Sequence, residues 1–146
     1  MPRVKIKPLE SYEYSLSIRV RATDINYGGH LGNEALLGLI HEVRAQFLGN
    51  LGFDTFSAKD KSIGMIMADV AVNYIAEAFA GDTLEIDCQI GEIRRKSFRL
   101  FHRMRRDDQV IALVETGLLA FDYQTRVVVP LPEDFLASLE IFRGEE

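Results

Sequence analysis

Thr23-Asp24-Ile25-Asn26-Tyr27-Gly28-Gly29-His30-Leu31-Gly32-Asn33 is the stretch on which the reading of this chain turns. Ahead of it, Leu16, Ile18 and Val20 alternate along Tyr14 to Arg21, the period of a strand with one buried face. Behind it, Leu36, Ile40, Val43, Phe47 and Leu51 recur at helical spacing, and Leu37 and Leu48 widen the stripe. Asn33 is placed to cap the helix start, and Gly49 and Gly52 to stop it. A polar, glycine-rich junction between a strand and a long helix is therefore predicted. The first amides of a helix lack intrahelical acceptors and carry partial positive charge, and glycines let a ligand come close to the backbone. Such a junction can hold a polarised carbonyl, with Asp24, Asn26 and His30 beside it to handle water or protons.

Beyond a polar loop around Ala58 to Ser62, extended segments succeed one another. Ile66 to Ile75 is the first. A Gly81-Asp82 turn leads into Thr83 to Ile90, where Leu84, Ile86, Cys88 and Ile90 face one way and Glu85, Asp87 and Gln89 the other. Ser97 to Arg105 follows, then a hairpin at Asp107-Asp108 and a return strand from Val110 to Tyr123. That last strand is apolar on both faces, which predicts a central place in the sheet. Pro130 and Pro132 interrupt the pattern after Val127 to Val129, and Glu133 to Phe142 reads as a short amphipathic helix. One strand, one long helix and then antiparallel strands predict an α+β fold whose sheet wraps around that helix. Gly38, inside the helix, either eases helix-sheet packing or is simply tolerated there.

At 146 residues with 47% hydrophobic content, the chain can build one sizeable core, so residues 1–146 are read as a single domain. The formal net charge of −5 supplies no general attraction for nucleic acid or an anionic membrane surface. Met1 to Pro8 lacks the apolar core of a signal peptide, and no run approaches the ~20 apolar residues of a membrane span, so a cytoplasmic setting is expected. Cys88, the single cysteine, sits at an apolar step of its strand and reads as a small core residue. No Cys/His spacing resembles a structural zinc site, and neither metal nor cofactor is expected.

Taken together, Asp24 to Asn33, the helix Leu36 to Leu51 with Glu42-Val43-Arg44, and the following sheet resemble the hotdog-fold thioesterases of the 4-hydroxybenzoyl-CoA thioesterase type over most of the chain. Gly29-His30, Asn33 and Glu42-Val43-Arg44 match the family's pattern. One position departs from it. Counting back from Gly29-His30 puts Asn26 where the family usually carries its catalytic carboxylate, and Asp24 lies two residues earlier. The resemblance implies a homodimer or homotetramer acting on acyl-CoA or an acyl carrier protein thioester.

Hydrolysis of a thioester builds negative charge on the carbonyl oxygen, so amides from Gly28 to Leu31, with Asn33, are the expected substrate contacts. Asp24 is the first choice for activating water, Asn26 for orienting it, and His30 for orienting the acyl carbonyl or relaying a proton. The same residues have purely structural alternatives: turn-forming glycines, an Asp24 cap and a loop histidine. Glu42 lies roughly 13 Å along its helix from Asn33, so it acts, if at all, from a partner's helix. Arg94-Arg95-Lys96 and Arg103, Arg105 and Arg106 are read as solvated strand-end charges or as contacts to coenzyme A phosphates. The loss of the carboxylate at Asn26 leaves a second reading open, a non-hydrolysing hotdog protein that binds acyl-CoA.

Overall fold

Alternation of apolar and polar residues produces β1 (Tyr14–Arg19), which shortens the expected first strand by two residues. The chain then tightens into a 3₁₀ turn, Ala22–Asp24, before α1 (Asn33–Asn50). In the computed structural model, residues 3–53 and 61–144 are described, so the loop expected from Ala58 lies mostly outside the described residues. The remaining elements are β2 (Ile63–Tyr74), β3 (Thr83–Gly91), β4 (Ser97–Arg106), β5 (Gln109–Asp122), β6 (Val127–Val128) and α2 (Glu133–Phe142). The C-terminal helix coincides with the expected one. Asn33 belongs to α1 rather than preceding it, and the stop falls at Gly52, where the Phe53 amide returns to the Leu48 carbonyl at 2.9 Å.

The strands form one antiparallel sheet in the order β1-β3-β4-β5-β2, with β6 pairing β5. β1 runs against β3 in a register that sets Tyr14 opposite Cys88 and Arg19 opposite Thr83. β5 is interior but not central, because β4 takes the middle place. Its apolar character on both faces reflects burial along most of its length, which an interior strand next to an edge strand also experiences.

Two compact units divide the chain. The first holds the residues up to Val43 with Ala71–Gln89 and Phe101–Glu115. Its core gathers Leu36, Leu39, Ile40 and Val43 of α1 with Leu84, Ile86 and Cys88 of β3, all buried. Leu39 takes the place expected of Leu37, which is half-buried. Cys88 is fully enclosed, as its strand position predicts. Gly38 faces open space, so the glycine is tolerated rather than demanded by packing.

The second unit holds Arg44–Val70, Ile90–Leu100 and the chain from Thr116 onward. Aromatic packing organises it: Phe135 of α2 stacks on Phe98 at 5.2 Å between ring centroids and meets the edge of Phe53 at 5.8 Å. Each such fully buried aromatic contributes roughly 2–3 kcal/mol, which explains why a ten-residue helix holds its place. Among the described residues, no helix is long and apolar enough to cross a membrane.

Candidate active site

The strand-to-helix junction is tied down before any ligand is considered. Asp24, only 6% exposed, accepts three hydrogen bonds from Arg21: from its backbone amide at 2.8 Å, from Nε at 3.2 Å and from Nη2 at 3.0 Å. The guanidinium beside it holds the Asp24 carboxyl below the usual range, against the opposing effect of burial. The Asp24 carbonyl in turn accepts the Gly32 amide at 2.9 Å. Asp24 thus clamps the two ends of the loop, and it is not among the residues that line the neighbouring cavity.

Several amides expected to meet a ligand are already occupied by the chain. The Gly28 amide donates to Asn26 Oδ1 at 3.0 Å, Gly29 to the Asn26 carbonyl at 3.1 Å, and Leu31 to the Ala78 carbonyl at 2.8 Å. Their role is to shape the loop: Gly29 adopts φ 84°, a conformation only glycine takes without strain. The donors left for a ligand lie one step further on. Leu36 is the first helix amide to find an intrachain carbonyl, Gly32 O at 2.9 Å, and among the described residues Asn33, Glu34 and Ala35 offer their amides to none.

Beside this loop is a cavity of about 500 Å³. Asn26, His30, Leu31 and Asn33 line it from the junction, Leu36 from α1, Tyr74 from the end of β2, Ile75 to Ala78 from the loop that follows, and Ile111 from β5. Leu31, Leu36, Ile75 and Ile111 make much of its wall apolar, so a bound acyl group would be shielded from water while the polar groups gather at the loop. The Tyr74 hydroxyl donates to the Asn33 carbonyl at 3.1 Å, joining the end of β2 to the start of α1. Partial removal of the phenol from water, reinforced by the negative Glu34, raises its pKa and keeps it a neutral donor.

Within the cavity the polar groups have defined orientations. Because Asn26 Oδ1 accepts the Gly28 amide, its Nδ2 is the end that can donate to a ligand. His30 Nδ1 lies 3.1 Å from the Leu31 carbonyl and must be its donor, which leaves Nε2 with the lone pair in the neutral ring. His30 Nε2 also stands 3.8 Å from Glu77 Oε2. Gly28 lets these groups converge: a methyl there would lie 3.3 Å from both Asn26 Oδ1 and His30 Nε2.

The structure therefore gathers Asn26, His30, Leu31 and Asn33 around one space, and leaves Asp24, Gly28 and Gly29 as the frame behind them. Tyr74 and Glu77 were missed by sequence reasoning. Tyr74 ends β2 and Glu77 follows it in the loop, more than forty residues downstream, and the alternating pattern that identifies a strand says nothing of what its end faces. The basic residues are largely engaged: Arg103 and Arg105 hold Asp87 at 2.8 and 2.9 Å, Arg106 holds Asp82 at 2.7 Å, and Arg94 holds Glu92 at 2.8 Å.

Known proteins place this geometry in context. A 1,4-dihydroxy-2-naphthoyl-CoA hydrolase of Synechococcus elongatus is 28% identical over 131 residues, covering 88% of this chain and 96% of the relative. A solved gentisyl-coenzyme A thioesterase superposes with a TM-score of 0.76 at 26% identity, over 83% of this chain and 98% of the other. A 1,4-dihydroxy-2-naphthoyl-CoA thioesterase from Synechocystis superposes equally well, TM-score 0.76, at 17% identity over 86% and 94% of the two chains, and shows likeness of fold. These neighbours have the hotdog fold that the resemblance implied, and the antiparallel sheet and helix of this chain are of the α+β class expected from the order of its elements. Because the family model of the Thioesterase-like superfamily matches residues 20–139, most of its length, this chain belongs to that superfamily.

Proposed function

We propose that this protein is an acyl-CoA thioesterase that hydrolyses a thioester to a carboxylic acid and coenzyme A, with an aromatic acyl group as the class to test first. One observation carries the reading: an apolar-walled cavity of about 500 Å³ is lined by Asn26, His30 and Asn33, the last at the helix start with its amide given to no intrachain carbonyl among the described residues. As water attacks the thioester carbon, charge gathers on the carbonyl oxygen, where Asn26 Nδ2 and the Asn33 amide can donate to it. His30 Nε2, with its lone pair exposed, orients the attacking water. The names of the two relatives at 28% and 26% identity, both hydroxyaryl-CoA hydrolases, support the aromatic preference.

Within the superfamily, Gly29-His30, Asn33 and Glu42-Val43-Arg44 favour the 4-hydroxybenzoyl-CoA thioesterase type. We take residues 1–146 as one hotdog domain, a reading supported by a family match that runs without a break from 20 to 139. We also take the working form to be a cytoplasmic homodimer or homotetramer. The sheet-end strand β2 carries Met67 and Val70 exposed, apolar side chains that pairing with another copy would cover.

A panel of aliphatic, benzoyl and hydroxynaphthoyl CoA thioesters, with acyl carrier protein thioesters beside them, tests this by release of free thiol. Turnover of an aryl-CoA ahead of the aliphatic ones is the expected result. The amide at Asn26 favours one second reading, a protein that binds acyl-CoA without cleaving it; calorimetric binding with no thiol release would establish that reading instead.

A further inference from the structure

We infer that Glu77 is the catalytic carboxylate of this site, taking the proton from the attacking water. The inference rests on the thioesterase reading above and supplies the group that the reading lacks. An asparagine at position 26 is an amide, which cannot accept a proton near neutral pH. Asp24 has its two carboxylate oxygens committed to Arg21 and stands behind the cavity wall. Glu42 lies on an exposed stretch of α1, roughly 13 Å from the helix start. Among the described residues that line the cavity, Glu77 is the one acid.

The surroundings of Glu77 suit the task. Its Oε2 stands 3.8 Å from His30 Nε2, too far for a direct hydrogen bond. A water at the usual ~2.8 Å from each of two atoms so spaced fits against both. That water would give one hydrogen bond to the carboxylate and one to the imidazole lone pair, with its own lone pair left to meet the thioester carbon. The backbone around Glu77 is pinned on both sides. Ala76 donates to the Ile111 carbonyl at 3.1 Å, the Ala78 carbonyl accepts the Leu31 amide at 2.8 Å, and the Glu77 carbonyl accepts Arg106 Nη1 at 3.3 Å. The side chain itself is 64% exposed, so water reaches it freely.

The step balances. Glu77 takes one proton as the water oxygen bonds to the carbonyl carbon, and the carbonyl π pair moves to oxygen, beside Asn26 Nδ2 and the Asn33 amide. Collapse of the tetrahedral intermediate restores the carbonyl and breaks the carbon–sulfur bond, the electron pair leaving on sulfur. The proton held by Glu77 passes to that thiolate, giving coenzyme A and the free acid with the carboxylate regenerated.

The test compares the wild-type protein with E77Q and E77A on the thioester panel, with a melting curve for each. Because the side chain is mostly in solvent, both variants should melt like the wild type. The expected result is a fall in kcat on the order of 100-fold or more with KM changed only a few-fold, and partial recovery of E77A by added formate but not by chloride. Variants within about threefold of wild type would overturn the assignment to Glu77 while leaving the thioesterase reading standing. A large loss that formate leaves unrepaired would mark a positioning residue and overturn it too. A wild-type protein that releases no thiol from any thioester would remove both.

Discussion

Two polar clusters of the first unit, one around Asp87 and one around His30, use similar residues to opposite ends. Asp87 is 5% exposed and receives Ser15 Oγ at 2.9 Å, Arg103 Nε at 2.8 Å, Arg105 Nε at 2.9 Å and Arg105 Nη2 at 3.3 Å. Arg103 in turn lies 4.6 Å over the ring of Tyr12. Both carboxylate oxygens are thereby supplied with donors, the condition under which a buried charge stabilises a fold. The other cluster is left incomplete. Asn26 keeps its Nδ2 and His30 its Nε2, and Glu77 approaches to 3.8 Å without closing a bond, all beside an open cavity. Saturated polarity holds structure; polarity with capacity to spare, facing a cavity, is where a reaction can be assisted.

Substitutions in the two clusters should separate these roles. The largest effect is expected from Asn26→Ala, which removes a donor to the developing oxyanion: kcat should fall on the order of 100-fold or more, about 3 kcal/mol, while loss of the acceptor for the exposed Gly28 amide costs no more than about 1 kcal/mol of stability. Steady-state kinetics beside a thermal melt check it, and an unchanged kcat would erase the contrast from the catalytic side. Asp87→Ala should do the reverse. It leaves Arg103 and Arg105 without their shared partner and should cost about 3 kcal/mol of stability in urea denaturation, while kcat at a temperature where the protein stays folded is preserved.

Asp24→Asn tests the clamp between these extremes. Weakened bonds to Arg21 should cost about 1–2 kcal/mol of stability and no more than about tenfold in kcat through a loosened loop. A loss of about 1000-fold in kcat with unaltered melting would make Asp24 the base after all. Gly28→Ala is the mildest change. Its methyl meets Asn26 Oδ1 and His30 Nε2 at 3.3 Å, so a few-fold fall in kcat/KM is expected, with little effect on melting.

Acid should expose the saturated cluster. Burial pushes the Asp87 carboxyl upward, but the bonds from Arg105, Arg103 and Ser15 together outweigh it and hold it below the ordinary value. Asp24 is lowered as well, chiefly by its bond to Arg21. A carboxyl whose folded pKa lies below its unfolded value near 4 lends its stability fully above that pH and loses it as pH falls through the folded value. The melting temperature should therefore drop below about pH 4, and Asp87→Asn should flatten that drop.

How much was legible in the sequence follows from the range of each interaction. Leu84, Ile86, Cys88 and Ile90 repeat every second residue and are buried as that period requires. Glu133 to Phe142 showed its helix because both its turns and its proline boundary are local. Burial on two faces predicts an interior place for β5, which it has, but does not say how many strands lie beyond. In the site, glycines and polar residues marked the loop correctly. Which amides it spends on itself was hidden, since the acceptor for Leu31 is Ala78, from another element.

Local pattern by itself determined the order of elements, the buried faces and the polar loop at the head of the long helix, because propensity and hydrophobic period act over a few residues. Tertiary structure alone decided that Asp24 turns to Arg21, that Asn26 and His30 line a cavity, and that Glu77 meets them there. The reason is geometric: a catalytic constellation is assembled by contacts between segments far apart in the chain, and those distances exist only once the strands have paired and the helix is in place.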